Sequence, residues 1–594
     1  LAWLPAQTTV AQLAAAGLSP GLMSAGLGTV PPQQTYLDVG QGNRVFDSLY
    51  DEALPARSND RPPCDRWFEE VERRAGSAPA DIEPGLLAQA LRSGHVSAFL
   101  FGPSACALGG YEDEGRGGIN AATFRVAEVS LAELRPLVAS IPRREVLIAI
   151  ARPTGGSDDP LPIGIAGAGF DGGLTSDSTR MNGYVLSTDV APTILEHFGA
   201  AVPSHMSGQP IEAEGSIDPA AIEDLGARMG VISGRRGTVI GLSLLGWTLA
   251  LAGAILLSRG AAARAGVRLV GLAVVYMPLT MLAGAALEPG VVAEVLLVGL
   301  GAPLLAAATL AAARGYRALA FASAATVLAY ATDVVAGSPL TTLSLLGPNP
   351  GLGVRFYGIG NELEALLAVL VVAGCAAALT GFLPRLSPQR RAAAFLVVGL
   401  LAAFVFAAGR FGADVGAAIV FPIGAAVAAA AAAAWRGKQA LLVLAAPFAV
   451  LGLLAAVDLL SGANAHLTRS VLDAGGLGDL AQVAQRRLQL SAHSFARPVL
   501  LVFLPLVAAL AALAVVRRDR LRDWVVDTPA IRAGLLGALA ATVVGTLAND
   551  SGALLLEIGT AYLLVFVSFA WAESPTVPQT KSYTSVRHES HDPA

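Results

Sequence analysis

Lysine is nearly missing from this chain: of 40 basic side chains, only Lys438 and Lys581 are not arginine. Together with heavy alanine and glycine use, this fits a GC-rich bacterial genome, which concerns codons and not function. Charge of either sign is scarce. Asp, Glu, Lys and Arg make up 14% of the 594 residues, 54% are hydrophobic, and the mean hydropathy is +0.59. That balance excludes an ordinary soluble protein of this length. Cysteine is limited to Cys64, Cys106 and Cys375, which lie too far apart for a metal-binding motif. A Cys64–Cys106 disulfide fits if that part of the chain is extracytoplasmic, and two buried thiols fit otherwise. Nucleic-acid motifs are lacking as well, and the acidic N-terminal part argues against such a partner.

The charge that is present is unevenly spread. Residues 1–237 carry 28 acidic and 17 basic side chains, whereas residues 238–594 carry 17 and 23. The first block is also far less apolar. The division predicts an extracytoplasmic α/β domain over 1–237, a membrane domain over 238–571 and a cytoplasmic tail over 572–594. The first residues, "LAWLPAQTTV", leave room for an upstream signal or anchor.

Within the second block, apolar runs long enough to span a bilayer recur about eleven times. They fall near 238–257, 269–287, 291–312, 318–336, 362–383, 392–409, 413–434, 439–460, 498–516, 531–548 and 551–571. Alternate loops read "SRGAAARAGVR", "RGYR", "PRLSPQRR", "WRGK" and "RRDRLRD". These are basic, as cytoplasmic loops are. The other set then faces outward together with the 1–237 domain. It includes "RFYGIGNE" (355–362), "GRFGADVG" (409–416) and the turn in "LANDSGALLLEIG" (547–559). Asp333 and Asp458 lie near the same side. Gly-rich breaks at membrane depth are tolerated only where protein or a watery cavity receives their backbone. Arg355, Asn361, Glu362, Arg410, Asp414, Asn549, Asp550 and Glu557 are therefore the candidate substrate-binding residues. Helix caps and structural ion pairs are the plainer role for any one of them. The outward segment 461–497 contains "DLAQVAQRRLQLSAHSF", whose spacing predicts an amphipathic helix lying on the interface.

In the first block, "REVLIAIARP" (144–153), "PIGIAGAG" (162–169) and "GYVL" (183–186) read as strands. Thr188 or Asp189 is placed to cap a helix over 190–198. "GLMSAGLG" (21–28) and "QTYLDVGQGNRV" (34–45) lack phosphate-loop spacing and read as turns. Strands alternating with helices predict a sandwich with a mostly parallel sheet.

"STDVAPTILEHFGAAVPSHMSGQPI" (187–211) resembles the C-terminal signature of the alkaline phosphatase superfamily. The resemblance spans about 25 residues and implies that family's sandwich fold. Its members place a Thr, Ser or Cys nucleophile between metal sites built from Asp and His. Those parts are not recognisable here: Asp158 and Asp159 lack a neighbouring His, and His95 stands alone. A nucleophile among Ser176, Ser178 and Thr179, next to Arg180, has no base or metal beside it. The order of parts is similar to that of membrane phosphoethanolamine and phosphoglycerol transferases. The expectation is a multi-pass protein of the bacterial plasma membrane. It would bind and move, or transfer, a polar or phosphorylated, lipid-linked envelope precursor, with the phosphatase-like domain as a cap. Two alternatives stand beside it: a metal-dependent phospho-head-group transferase or phosphodiesterase, and a non-catalytic scaffold for other envelope-synthesis proteins. No cofactor is evident, and a divalent metal belongs only to the enzymatic alternative.

Overall fold

The computed structural model describes residues 1–55, 64–78, 80–100, 104–109, 123–142, 144–155, 158–257, 260–437, 441–461, 488, 491, 492, 494, 495 and 498–574. The N-terminal domain contains strands β1 (Ala2–Leu4), β2 (Ser19–Ser24), β3 (Ser97–Leu100), β4 (Thr123–Glu128), β5 (Val146–Ala151), β6 (Leu161–Gly167), β7 (Gly173–Ser176), β8 (Tyr184–Leu186) and β9 (Ile211–Glu214). Its helices are α1 (Val10–Ala15), α2 (Pro32–Gln41), α3 (Cys64–Ala75), α4 (Leu86–Ser93), α5 (Ala105–Gly109), α6 (Leu131–Ser140) and α7 (Val190–His197). Seven strands form one sheet in the order β3-β4-β1-β5-β6-β2-β8, and β7 pairs with β9 apart from it. The sheet is mixed. The β3–β4, β4–β1, β1–β5 and β2–β8 pairs run parallel. The central β6 runs antiparallel to both β5 and β2. Strands β5 and β6 alternate little in polarity because both their faces are covered; Ile150, Ile163 and Ile165 are fully buried.

Two stretches read as turns prove to be regular elements. "GLMS" completes β2, which lies inside the sheet although it contains Pro20 and Gly21. "QTYLDVGQ" belongs to α2, which starts on the Pro31–Pro32 pair and stops at left-handed Gly42. Cys106 is buried and disulfide-bonded, whereas Cys375 is free. The side chain of Cys64 lies outside the described residues.

The rest is helical: α8 (Pro219–Leu257), α9 (Ala261–Leu287), α10 (Val291–Ala312), α11 (Tyr316–Val335), α12 (Pro339–Leu343), α13 (Asn361–Phe382), α14 (Pro388–Ala407), α15 (Ala417–Ala433), α16 (Leu441–Ser461), α17 (Pro498–Val516), α18 (Arg518–Val525), α19 (Pro529–Ala548) and α20 (Gly552–Glu573). Among the described residues, eight helices are long and apolar enough to cross a membrane: α8 to α11, α13, α14, α19 and α20. Shorter apolar stretches, Ala417–Ala433, Ala445–Leu454 and Phe503–Val516, fall where the sequence places its other three spans. Leu245, Leu249 and Leu256 on α8 and Leu300 and Leu304 on α10 are exposed, as lipid-facing side chains are.

The expected border at 237 falls inside one unbroken helix. α8 begins at Pro219 in the N-terminal domain and runs into the apolar bundle. Its polar first half is held by packing and ion pairs, which hydropathy alone does not register. Most of the expected interfacial helix near 479–495, the side chain of Asp458 and the tail beyond 574 lie outside the described residues.

Candidate functional site

The loop between α12 and α13 contains the "RFYGIGNE" stretch, and the N-terminal domain sits on it. Gly28 N donates to Leu352 O at 2.8 Å. Arg44 donates to Ser24 Oγ at 3.0 Å, to Gly26 O at 3.2 Å and to Gly353 O at 2.7 Å. Phe356 enters an apolar cluster with Leu22, Tyr184, Ile222 and Met229, its ring 5.3 Å from that of Tyr184. The Arg180 guanidinium lies 4.0 Å over the Tyr357 ring and donates to the carbonyls of Gly409 and Arg410 at 3.1 and 3.2 Å. Two breaks of the bundle are thus clasped by one domain. They also clasp each other: Ile359 N donates to Gly412 O at 3.1 Å. Gly358, at φ 76°, could bear no side chain, because a Cβ there would lie 2.0 Å from Gly412 O.

Below this contact, the ends of α13, α15, α19 and α20 meet. Arg355 lies 3.6 Å from Asp414 Oδ2 and donates to the carbonyls of Ile359 and of Ala413, the latter at 3.0 Å. Asp414 caps α15, accepting from Gly416 N at 2.8 Å and Ala417 N at 3.3 Å. Asn361 Nδ2 donates to Asp550 Oδ1 at 2.9 Å. Asn549 Nδ2 donates to Glu364 Oε2 at 2.5 Å. Glu364 is fully buried, its Oε1 has no partner among the described residues, and the charges of Asp414, Arg355 and Asp550 act on it.

Five of the eight candidates therefore meet: Arg355, Asn361, Asp414, Asn549 and Asp550. Three do not join their bonds. Glu362 pairs with Arg236 at 3.0 Å on α8. Arg410 is exposed, and among the described residues only its carbonyl is engaged. Glu557 is half-buried within α20, with one oxygen lacking a partner among the described residues. Asp333 is a cap, accepting from Leu340 N and Thr341 N at 3.1 and 2.7 Å. Glu364 is the residue the candidate set omits. Its signal is helical spacing: it stands three residues after Asn361 and shares that face, whereas Glu362 points away.

In the N-terminal domain, Asp189 stands at the N-cap of α7, but its side chain bonds no N–H of that helix. Ser176 Oγ and Ser178 Oγ each donate to its carboxylate at 2.6 Å, Leu186 N at 2.9 Å and Gln209 N at 3.0 Å. Thr179 Oγ1 donates to Tyr184 O at 2.6 Å. All three hydroxyls considered as nucleophiles thus bond within the 176–189 segment. A cavity of about 170 Å³ lies beyond the carboxyl ends of β1 and β5, lined by Thr35, Arg152, Thr154 and Asp159 among others. Thr35 is fully buried, and its Oγ1 has no partner among the described residues. His95 is exposed. Among the described residues, no three His, Cys, Asp or Glu side chains gather as a metal site.

Asp38, on α2, is 1% exposed and accepts from Gln34 and Gln41 at 2.8 and 3.1 Å. Burial pushes its carboxyl from 3.8 up to about 7, against the pull of Gln34, Arg44 and Arg74. Folding therefore favours the protonated form. The stability this contributes is complete below about pH 4 and is lost as pH rises through 7. It amounts to up to about 4 kcal/mol. Unfolding of the wild type and D38N between pH 4 and 8 measures it. The variant is expected to gain on the wild type as pH rises and to level off above 7.

No family model, curated protein or solved structure matches this chain.

Proposed function

We propose that the chain is an integral membrane protein of the bacterial cell envelope that binds, and moves or transfers, a polar, phosphorylated, lipid-linked molecule. Binding takes place in an outward chamber between the helix ends, and the phosphatase-like N-terminal domain caps it. The supporting observation is convergence: residues 355–364, 413–416 and 549–550 are far apart in sequence and bonded in space. Broken helices with polar ends facing one another suit a polar ligand better than they suit an inert anchor. Arg355 is the residue expected to read a phosphate.

The test is native mass spectrometry of lipids retained by the purified full chain. A charge-assisted hydrogen bond contributes about 1.5–3 kcal/mol, so R355A is expected to retain about tenfold less of a phosphorylated lipid than the wild type. An unchanged lipid complement in R355A and N361A would overturn the assignment. The cavity at Thr35 supports the transferase alternative, because ligands of α/β sheets bind beyond the strands' carboxyl ends. Loss of the lipid in T35A, with R355A unaffected, would move the site there.

A further inference from the structure

Among the described residues, those that meet in the chamber are unbalanced in charge. Asp414, Asp550 and Glu364 contribute three carboxylates, and Arg355 is the cation that acts on Glu364. Arg355 is already engaged by Asp414 and two carbonyls. Arg236, the next guanidinium, is taken by Glu362 and by Gly347 O at 2.8 Å. The N-terminus of α15, which would otherwise attract an anion, donates its first free N–H groups to Asp414. Glu364 thus remains fully buried with Oε1 unpartnered and no cation of its own among the described residues. Buried carboxylates are ordinarily paired.

Gly416 forms the wall beside it. A Cβ there would lie 2.6 Å from Glu364 Oε2, 2.8 Å from Oε1 and 2.6 Å from Asn549 Nδ2. Backbone this close to both oxygens favours a small occupant. We propose that Glu364 binds a small monovalent cation, either a free alkali-metal ion or the primary ammonium group of a ligand's head. The proposal rests on the chamber assigned above. It also narrows that chamber's ligand: a phosphate belongs at Arg355, and positive charge belongs at Glu364.

The experiment is thermal unfolding of the full chain in phosphatidylglycerol nanodiscs at constant ionic strength. Sodium, potassium or ethanolamine hydrochloride replaces tetramethylammonium chloride, whose cation is too bulky for the site. A saturable rise of a few degrees is expected with at least one of them. E364Q should lose it, D414N should weaken it, and the exposed control D519N, on α18, should keep it. A response to sodium or potassium identifies a free ion, and a response to ethanolamine alone identifies an ammonium head. No response in the wild type, or an equal response in E364Q, overturns the proposal. Should E364Q fail to fold, an undiminished response in D414N overturns it instead. Because this readout does not depend on retained lipid, a cation response alongside an unchanged R355A lipid complement would sink the lipid assignment and leave the cation site standing.

Discussion

Replacing Glu294 with alanine is expected to destabilise the protein by about 3–5 kcal/mol, the usual cost of removing one partner from a buried ion pair. Glu294 stands in the first turn of α10 and is fully buried. It accepts from Arg228 at 2.9 Å and from Arg235 at 3.2 Å, both on α8. Without it, Arg235 can turn to water, since its side chain is 24% exposed. Arg228 cannot: it is 3% exposed, and its Nη1 already lacks a partner among the described residues. It would keep only the Leu343 carbonyl, at 3.2 and 3.3 Å. The dock between α8 and the bundle would loosen where α8 leaves the N-terminal domain. Thermal unfolding of the full chain in micelles checks this. The double variant R228M/E294L should recover most of the loss, because apolar side chains of similar volume often replace a buried pair at little cost. An E294A variant within about 1 kcal/mol of the wild type would mean that water reaches Arg228.

Much of the helical region was legible because lipid imposes simple rules on sequence. Apolar runs of about 20 residues mark the long helices, and their positions agree with α9 to α11, α13, α14, α19 and α20. The convergence of the 353–364, 409–416 and 547–550 breaks was legible in part. Glycine clusters show where helices stop but not which ends meet. Which partner a side chain meets is decided by the turn of the helix. Glu362 and Glu364 are two residues apart, so one faces Arg236 on α8 while the other faces Asn549 across the bundle. Arg410 was chosen for its charge, yet its backbone does the bonding, and no side-chain pattern reports that. In the N-terminal domain, the glycines of "GLMSAGLG" (21–28) suggest a turn, yet its first four residues complete β2. Gly21 is needed there for closeness: a Cβ would lie 3.1 Å from that of Leu174.

The bonds around Asp189 yield the last large effect. Asp189 has no exposed surface and is held by four donors: two serine hydroxyls and the N–H groups of Leu186 and Gln209. Burial pushes its carboxyl above the ordinary range, and those four bonds pull it back. In D189A the two hydroxyls can rotate toward other acceptors and the Gln209 N–H keeps Ser178 Oγ at 3.1 Å, but the Leu186 N–H is fixed by backbone and loses its acceptor. That buried orphan costs about 1–3 kcal/mol and each of the two lost hydroxyl bonds about 1 kcal/mol, so a total loss of about 3–5 kcal/mol is expected. D189N keeps one acceptor oxygen and turns the other into a donor facing donors, so it should lose roughly half as much. Hydrogen exchange over 173–214 in the full chain reads the difference. At about 1.4 kcal/mol per tenfold change, D189A should exchange at least a hundredfold faster there, with D189N between it and the wild type. Exchange confined to the helical bundle, with this segment still protected, would mean that the loop is held by its apolar neighbours Val190, Leu195 and Ile211 rather than by the carboxylate.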